Sequence, residues 1–348
     1  MSPDYDIQPF DPDSAPSADF EALYAFGKVM LAEFWPDDPV PSPERHARDY
    51  RYIVPFSEVH RWLARSRGDR VVAEARYEFT KLDHNRHLGS FWIGVLPDNR
   101  RRGLAKALLA RIAEEAGNQR RPLLMTNTTS AVPAGEAFME RLGATMGLAT
   151  YTNQLDIRHL DRALLEAWLT PEPDTDAGFE LGLWEGNFPE SELQAVAELQ
   201  AVMNGAPRDN LDMEDGTVTP EQVRQFEEVR RLRGNEQWTM YVRERATGRL
   251  AGYTEVRWHP ELPSILQQGD TGVWPEYRNR GLGKWLKASM LTKVLTDLPQ
   301  VRFVRTGNAQ SNAPMLSINH RLGFRASREN KAWQVPLVRV VDYLQGRP

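Results

Sequence analysis

The residues best suited to chemistry in this chain form one short run that occurs twice. Arg100, Arg101, Arg102, Gly103, Leu104, Ala105 and Lys106 recur as Arg278, Asn279, Arg280, Gly281, Leu282, Gly283 and Lys284. Each run follows a strand-like segment ending in V-x-P, at Val95 and Val273, and opens a segment of helical periodicity. A helix start of the form R-x-x-G-x-G/A leaves backbone N–H groups unpaired, and there the helix dipole favours anions. Glycine reaches backbone conformations closed to other residues and lets a phosphate approach the chain, while flanking arginines add charge and donors. The pattern predicts a pyrophosphate cradle. A single copy would be equally compatible with a solvated Arg-rich turn, but two copies with matching surroundings favour the cradle.

Positioning a cradle takes a strand, a tight turn and a helix. Gly281 follows Gly103 by 178 positions, and His320-Arg321-Leu322-Gly323-Phe324 echoes Glu140-Arg141-Leu142-Gly143-Ala144 at an offset of 180. Two motifs in the same order at nearly one offset indicate an internal duplication. Each half reads as a strand, helices, three strands, a helix, a strand, a helix and closing strands. In the second half, residues 179–184 predict a strand, and 191–204 and 220–233 predict helices, the latter with Thr219 as N-cap and Pro220 in the first turn. Residues 237–244, 250–257 and 265–273 predict an antiparallel meander divided by turn signals at 246–248 and 260–263. Leu282, Leu286, Met290, Val294 and Leu298 then recur at every fourth position, as in a helix covering a sheet, and 302–306 predicts a buried strand. The first half matches with strands at 71–79, 87–95 and 123–126, and a helix carrying Leu104, Leu108 and Ile112. The expected fold class is α/β with a mixed, mostly antiparallel sheet flanked by helices, in tandem copies. The expected domains are residues 1–156 and 179–348, joined by a linker helix and loop over 157–178.

Bulk properties agree with this division. A chain of 348 residues exceeds the usual growth of one core. A hydrophobic fraction of 41% supplies apolar surface for two. With no Cys, disulfides, thiolate metal sites and a cysteine nucleophile are excluded, and a reducing compartment, the cytoplasm by default, is expected. Seven His without ligand spacing predict no metal. The start lacks the basic and apolar regions of an export signal, and no apolar run is long enough for a membrane span. A net charge of -5, with Arg scattered among acids, argues against nucleic acid as a partner.

On the paired cradle and V-x-P motifs, both halves resemble the GNAT superfamily of acyl-CoA N-acyltransferases, and the resemblance covers nearly the whole chain. It implies a splayed pair of parallel strands in each half, with acetyl-CoA at the cradle, pantetheine along the exposed backbone at Val95 or Val273, and the acyl carbonyl at the gap. It also implies an Asn after the following strand and a helix ending near Leu-Gly-Phe, matched by Asn308, Asn312, Met315, Asn319, Leu322, Gly323 and Phe324. The first half matches less fully, with Asn127 beside Asn308 but Met139 and Ala144 where Asn319 and Phe324 stand. The C-terminal copy is therefore expected to carry catalysis. The N-terminal copy is expected to bind CoA or support the fold, an arrangement similar to that of mycothiol synthase.

The resemblance further implies transfer of acetyl to a primary amine by direct attack, with the Val273 N–H stabilising the tetrahedral intermediate. The acceptor would be a small-molecule amine or an amine of a peptide or protein. Two groups usual in the family are missing: Gln267 and Gly89 stand where a Glu is common, and Asn319 stands where many members have a Tyr. The remaining candidates for moving a proton are Asp270, on the splayed strand, and Glu255, on the strand before it. Asp270 could instead shape a β-bulge, and Glu255 could lie on a solvated strand face. Asn319 could bond the thioester region or cap neighbouring backbone. His84 and His87 could serve a site in the first half, but the strand alternation favours structural roles for them. A rival reading is a module that binds CoA without turnover. Both a monomer and a homodimer fit the sequence.

Overall fold

The computed structural model describes residues 5–347; residues 1–4, part of the segment read for an export signal, lie outside the described residues. Strand β1 (Tyr5–Pro9) is followed by helices α1 (Ser17–Phe34) and α2 (Pro43–Arg51), then by strands β2 (Ser57–Ser66), β3 (Val71–Thr80) and β4 (Leu88–Val95). Helix α3 (Leu104–Asn118), strand β5 (Leu123–Thr129), helix α4 (Pro133–Leu142) and strand β6 (Thr145–Asp156) complete the first copy. Helices α5 (Arg162–Leu169) and α6 (Pro173–Gly178) lead into the second. It contains β7 (Phe179–Glu185), α7 (Leu193–Gln200), α8 (Pro220–Leu232), β8 (Glu236–Glu244), β9 (Leu250–Trp258), β10 (Ile265–Val273), α9 (Leu282–Asp297), β11 (Phe303–Ala309), α10 (Ala313–Leu322), β12 (Arg325–Pro336) and α11 (Leu337–Gln345).

Thr219 caps α8 as the sequence predicts, in a reciprocal capping box with Gln222. Residues 170–178 carry loop-like composition, yet Pro173–Gly178 forms a short helix. Its buried Thr175 donates to the carbonyl of Arg280 at 3.0 Å, so this connection braces a cradle. Among the described residues, no helix is long and apolar enough to cross a membrane.

The chain forms two compact units whose boundaries differ from those expected from the repeat. One unit comprises Met1–Ala149, Arg208–Glu214 and Asn330–Pro348; the other comprises Thr150–Pro207 and Asp215–Glu329. The sheet of the N-terminal unit runs β1-β2-β3-β4-β5-β12, where β5 pairs antiparallel with residues 330–336. The sheet of the C-terminal unit runs β6-β11-β10-β9-β8-β7, where β11 pairs antiparallel with residues 150–156. Each copy thus gives its last strand to the other unit, and the helix after that strand goes with it. Trp333, Val335 and Val340 are buried in the N-terminal core. Leu155, Leu165 and Trp168 are buried in the C-terminal one.

One core position departs from the apolar rule. Lys287 on α9 is 1% exposed, has no ion-pair partner among the described residues, and lies 5.6 Å from the Phe324 ring centroid. Leu109 occupies the corresponding place in the first copy and is fully buried. Burial lowers the Lys287 ammonium from 10.5 to about 7. Such a lysine releases its proton on folding between those values, so the native state gains stability as pH rises from about 7 to 10.5. Lys287→Met is expected to raise stability by on the order of 3 kcal/mol at pH 6–7, and by progressively less toward pH 10. Thermal midpoints of both proteins across that range check this; a constant or negative difference would refute it.

Candidate acyl-CoA sites

Each cradle is built by a strand that leaves its parallel neighbour. Strand β4 pairs with β5 only from Leu88↔Leu123 to Ser90↔Met125. Strand β10 pairs with β11 only from Ile265↔Phe303 to Gln267↔Arg305. Beyond these points a gap opens on the exposed edge of each first strand. The Leu96 N–H donates to the Val72 carbonyl at 2.9 Å, and Trp274 N–H to the Ala251 carbonyl at 3.0 Å. Hydrogen bonding alternates along an antiparallel ladder, so the preceding residues, Val95 and Val273, turn their N–H and C=O groups away from it. Their N–H groups are directed into the gaps.

The turn after each V-x-P strand takes the same shape. Arg101 and Asn279 have φ of 63° in both copies, and Gly103 and Gly281, the N-caps of α3 and α9, have φ of 84° and 77°. These left-handed positions aim the free N–H groups of Leu104 and Ala105, or of Leu282 and Gly283, out of the helix end. Neither helix has a side-chain cap or an acidic residue in its first turn. The donors are left for a ligand anion.

The side chains divide the work differently from the sequence-based expectation. The first arginine of each loop braces the strand: Nε of Arg100 donates to the Val95 carbonyl and Nε of Arg278 to the Val273 carbonyl, each at 3.0 Å. Arg100 also forms a bidentate pair with Glu33 of α1, at 2.7 and 2.5 Å. Arg101 is exposed, and Arg102 donates to the Tyr5 hydroxyl at 3.2 Å. Arg280 lies over the Phe179 ring at 5.7 Å. Lys106 sits 5.2 Å from the Tyr343 ring centroid, and Lys284 sits 5.9 Å from that of Trp168. Both aromatic residues come from the helix that follows an exchanged strand. The equivalence of Lys106 and Lys284 was readable in the sequence, but their aromatic partners were not.

In the N-terminal unit the gap widens into a cavity of about 430 Å³. Phe91–Val95 forms one wall, Thr126–Thr129 another, Gly103–Lys106 one end, and Phe138, Met139 and Tyr343 the side. Apolar walls leading to helix-end N–H donors suit pantetheine with its pyrophosphate. Asn127 lies on this wall, but it is not the counterpart of Asn308: Thr128 pairs with Lys331 as Asn308 pairs with Tyr151, so Asn127 stands where Gly307 does.

In the C-terminal unit the polar residues cluster around a β-bulge. The register of β10 against β9 shifts by one residue between Gln268 and Thr271, whereas β4 against β3 runs without a break. The extra residue moves the comparison of the copies: Gln267 pairs with Arg305 as Ser90, and not Gly89, pairs with Met125. Gly269 makes the bulge possible, because a Cβ there would lie 2.5 Å from an oxygen of Glu255. Glu255 is only 7% exposed, so it is not on a solvated face. Its carboxylate accepts from Gln237 Nε2 at 3.0 Å, from Arg257 and from the Asp270 N–H. Burial pushes the Glu255 carboxyl above the ordinary glutamate value, against the pull of Arg257. Asp270 is exposed and accepts from the Tyr253 hydroxyl at 3.4 Å.

Asn319 is fully buried. Its amide donates to Asn308 Oδ1 at 2.8 Å, and Asn153 Nδ2 donates to the same atom at 3.2 Å. Asn153 arrives on the exchanged strand and had no signal in the sequence. Asn312 caps α10 by accepting from the Met315 N–H. His87 lies 3.2 Å from the Asp212 carbonyl oxygen. Among the described residues, no group of three or more His, Cys, Asp or Glu could hold a metal.

The model of the acetyltransferase (GNAT) family matches residues 28–144, within the first copy. A tandem GNAT protein from the clavulanic acid biosynthesis pathway is 27% identical, with 96% of this chain and 98% of that chain covered at a TM-score of 0.78. A GCN5-related N-acetyltransferase from Sphaerobacter thermophilus shares the fold at 16% identity, 96% coverage of each chain and a TM-score of 0.66. A putative acetyltransferase from Pyrococcus horikoshii does so at 14% identity, 97% and 90% coverage and a TM-score of 0.54. No curated protein sequence matches the chain. The paired splayed strands, the glycine-capped cradles and these likenesses agree: the chain has a tandem GNAT fold, one copy in each unit, its first copy carries the acetyltransferase (GNAT) family match, and together they support an acyl-CoA N-acyltransferase.

Proposed function

We propose that this chain transfers acetyl from acetyl-CoA to a primary amine by direct attack in the C-terminal unit, with Glu255 as general base. The observation that carries this reading is the position of Glu255. A buried carboxylate lies at the bulge of the splayed strand, where an amine approaching the gap would meet it. In the proposed reaction the amine nitrogen attacks the thioester carbon while its proton passes to Glu255, directly or through water. The Val273 N–H stabilises the oxyanion, and collapse breaks the C–S bond to release CoA. Asp270 is the nearer acid to solvent and would attract the ammonium form of the acceptor. The N-terminal cavity supports a second acyl-CoA site, where no carboxylate stands at the place of Glu255 because the aligned residue is Arg76.

Glu255→Gln keeps the side chain's size and removes its basicity. It is expected to lower kcat about a hundredfold or more against a panel of small primary amines, with acetyl-CoA affinity retained. Because burial raises the carboxyl, the wild-type rate should fall with acid already above the ordinary glutamate range, and Glu255→Gln should lose that limb. Unchanged turnover in Glu255→Gln would overturn the assignment. Binding of acetyl-CoA with no acetylation of any amine would favour a module that binds without turnover.

A further inference from the structure

The two gaps differ in the residues around their inner ends. In the N-terminal unit Phe91 and Ile93 of β4 stand opposite Tyr77 and Ala75, Thr126 of β5 stands opposite Trp333, and Met139 precedes the helix-ending Gly143 on α4. In the C-terminal unit the same places hold Gln268 opposite Val256, Thr271 opposite Thr254, Thr306 opposite Asn153, and Asn319 before Gly323 on α10. Apolar Ala75, Phe91, Ile93, Met139 and Trp333 are thus replaced by polar Thr254, Gln268, Thr271, Asn319 and Asn153. Side chains alternate along a strand, so both sets lie on the core face, shared with Leu124 and Val335 in one unit and with Leu155 and Val304 in the other.

The polar set satisfies itself only in part. Gln268 Nε2 donates to Thr254 Oγ1 at 3.0 Å, and the hydroxyls of Thr254 and Thr271 are 2.7 Å apart. Asn153 and Asn319 both donate to Asn308 Oδ1, but their own buried Oδ1 atoms accept no hydrogen bond among the described residues. In the N-terminal unit, by contrast, Phe91, Ile93 and Met139 line the cavity of about 430 Å³ that reaches the cradle at Gly103–Lys106. Val95 is the counterpart of Val273, on which the proposed reaction places the thioester oxygen. Phe91 lies farther from the cradle than Val95, by about 13 Å along an extended strand. An acetyl group extends one methyl past its carbonyl and would leave most of this wall uncovered. A longer hydrocarbon chain would cover it, each buried methylene strengthening binding about fourfold. In the C-terminal gap the same chain would be set against amide oxygens without donors and would lose that gain.

We infer that the N-terminal unit takes an acyl-CoA with an unsubstituted hydrocarbon chain longer than acetyl, that Phe91, Ile93 and Met139 set this preference, and that the C-terminal unit does not share it. The inference rests on the acyl-CoA reading of the N-terminal cavity and goes beyond it by naming the chain. The test is calorimetric titration of CoA, acetyl-CoA, butyryl-CoA and hexanoyl-CoA into the full chain carrying Gly281→Glu, which isolates the N-terminal site, and into the Gly103→Glu chain, which isolates the C-terminal one. In the first, butyryl-CoA should bind at least about fivefold and hexanoyl-CoA at least about tenfold tighter than acetyl-CoA. In the second, neither should bind tighter than acetyl-CoA. Met139→Asn and Ile93→Thr, added to the Gly281→Glu chain, each place the C-terminal unit's residue in the N-terminal gap. Both should lower butyryl-CoA affinity at least about threefold with CoA affinity unchanged, and Ile93, being only partly buried, keeps the test available if Met139→Asn does not fold. The inference is overturned if CoA binds the N-terminal unit but longer chains gain nothing over acetyl-CoA, if the C-terminal unit shows the same gain, or if the folded variants keep the gain intact. A Gly281→Glu chain that binds no CoA at all would instead remove the acyl-CoA reading of that unit, and this inference with it.

Discussion

Residues 1–178 expressed alone are expected to fail to form a cooperative domain, although they contain the whole first copy of the repeat. The N-terminal unit takes its sixth strand from residues 330–336, which pair with β5 from Pro336↔Leu123 to Asn330↔Thr129. Without them β5 becomes an open edge. The core also loses Trp333, Val335 and Val340, all buried. At about 1.5–3 kcal/mol for each large apolar side chain, their burial contributes roughly 6 kcal/mol, comparable with the net stability of a domain. Circular dichroism and thermal denaturation of residues 1–178, with and without residues 330–348 fused through a flexible linker, check this. The fused form should regain a cooperative transition. A stable, cooperative 1–178 fragment would mean that the exchanged strand is dispensable.

Gly103→Glu is expected to abolish acyl-CoA binding in the N-terminal unit, with an affinity loss of at least a hundredfold. Two effects act in the same direction. At φ of 84° a side chain strains the turn that aims the Leu104 and Ala105 N–H groups. The new carboxylate would also stand where the helix end should receive pyrophosphate, replacing attraction by repulsion. No atom lies within 4 Å of the added Cβ, so the damage should fall on binding more than on packing. Gly281→Glu provides the counterpart at φ of 77°. Titration of acetyl-CoA into wild type and both variants separates the sites: two sites, each removed by its own substitution, are the expected result. If only Gly281→Glu removes binding, the N-terminal cavity serves another ligand.

The duplication, the cradles and most elements were legible in the sequence because they depend on local rules. The repeated V-x-P and Arg/Gly runs mark a strand, a left-handed turn and a free helix end wherever they occur. Thr219 with Gln222 specifies a helix start without reference to the rest of the chain. The four-residue recurrence in 282–298 gives α9, although Lys287 shows that such a pattern does not record every residue on the buried side.

The candidate catalytic residues were only partly legible. Asp270 and Glu255 are both visible in the sequence, but their relation rests on one extra residue in β10, which creates the bulge at Gly269 and brings the Asp270 N–H to Glu255. A one-residue shift of register changes which residues face each other across a ladder, and spacing counted along a single strand cannot detect it. That is why Gly89 counts as the partner of Gln267 along the chain, whereas Ser90 is its partner in the sheet.

The sequence by itself determined that there would be two GNAT folds with two anion cradles, since backbone geometry at Gly103 and Gly281 follows from residues within one turn. Tertiary structure decided which strand completes each sheet and which aromatic ring meets each cradle lysine. Those outcomes depend on pairing between segments far apart in the chain, such as Leu155 with Val304 and Leu124 with Val335. Several strands of similar apolar pattern could satisfy the same edge, and only the packing of the complete chain selects among them.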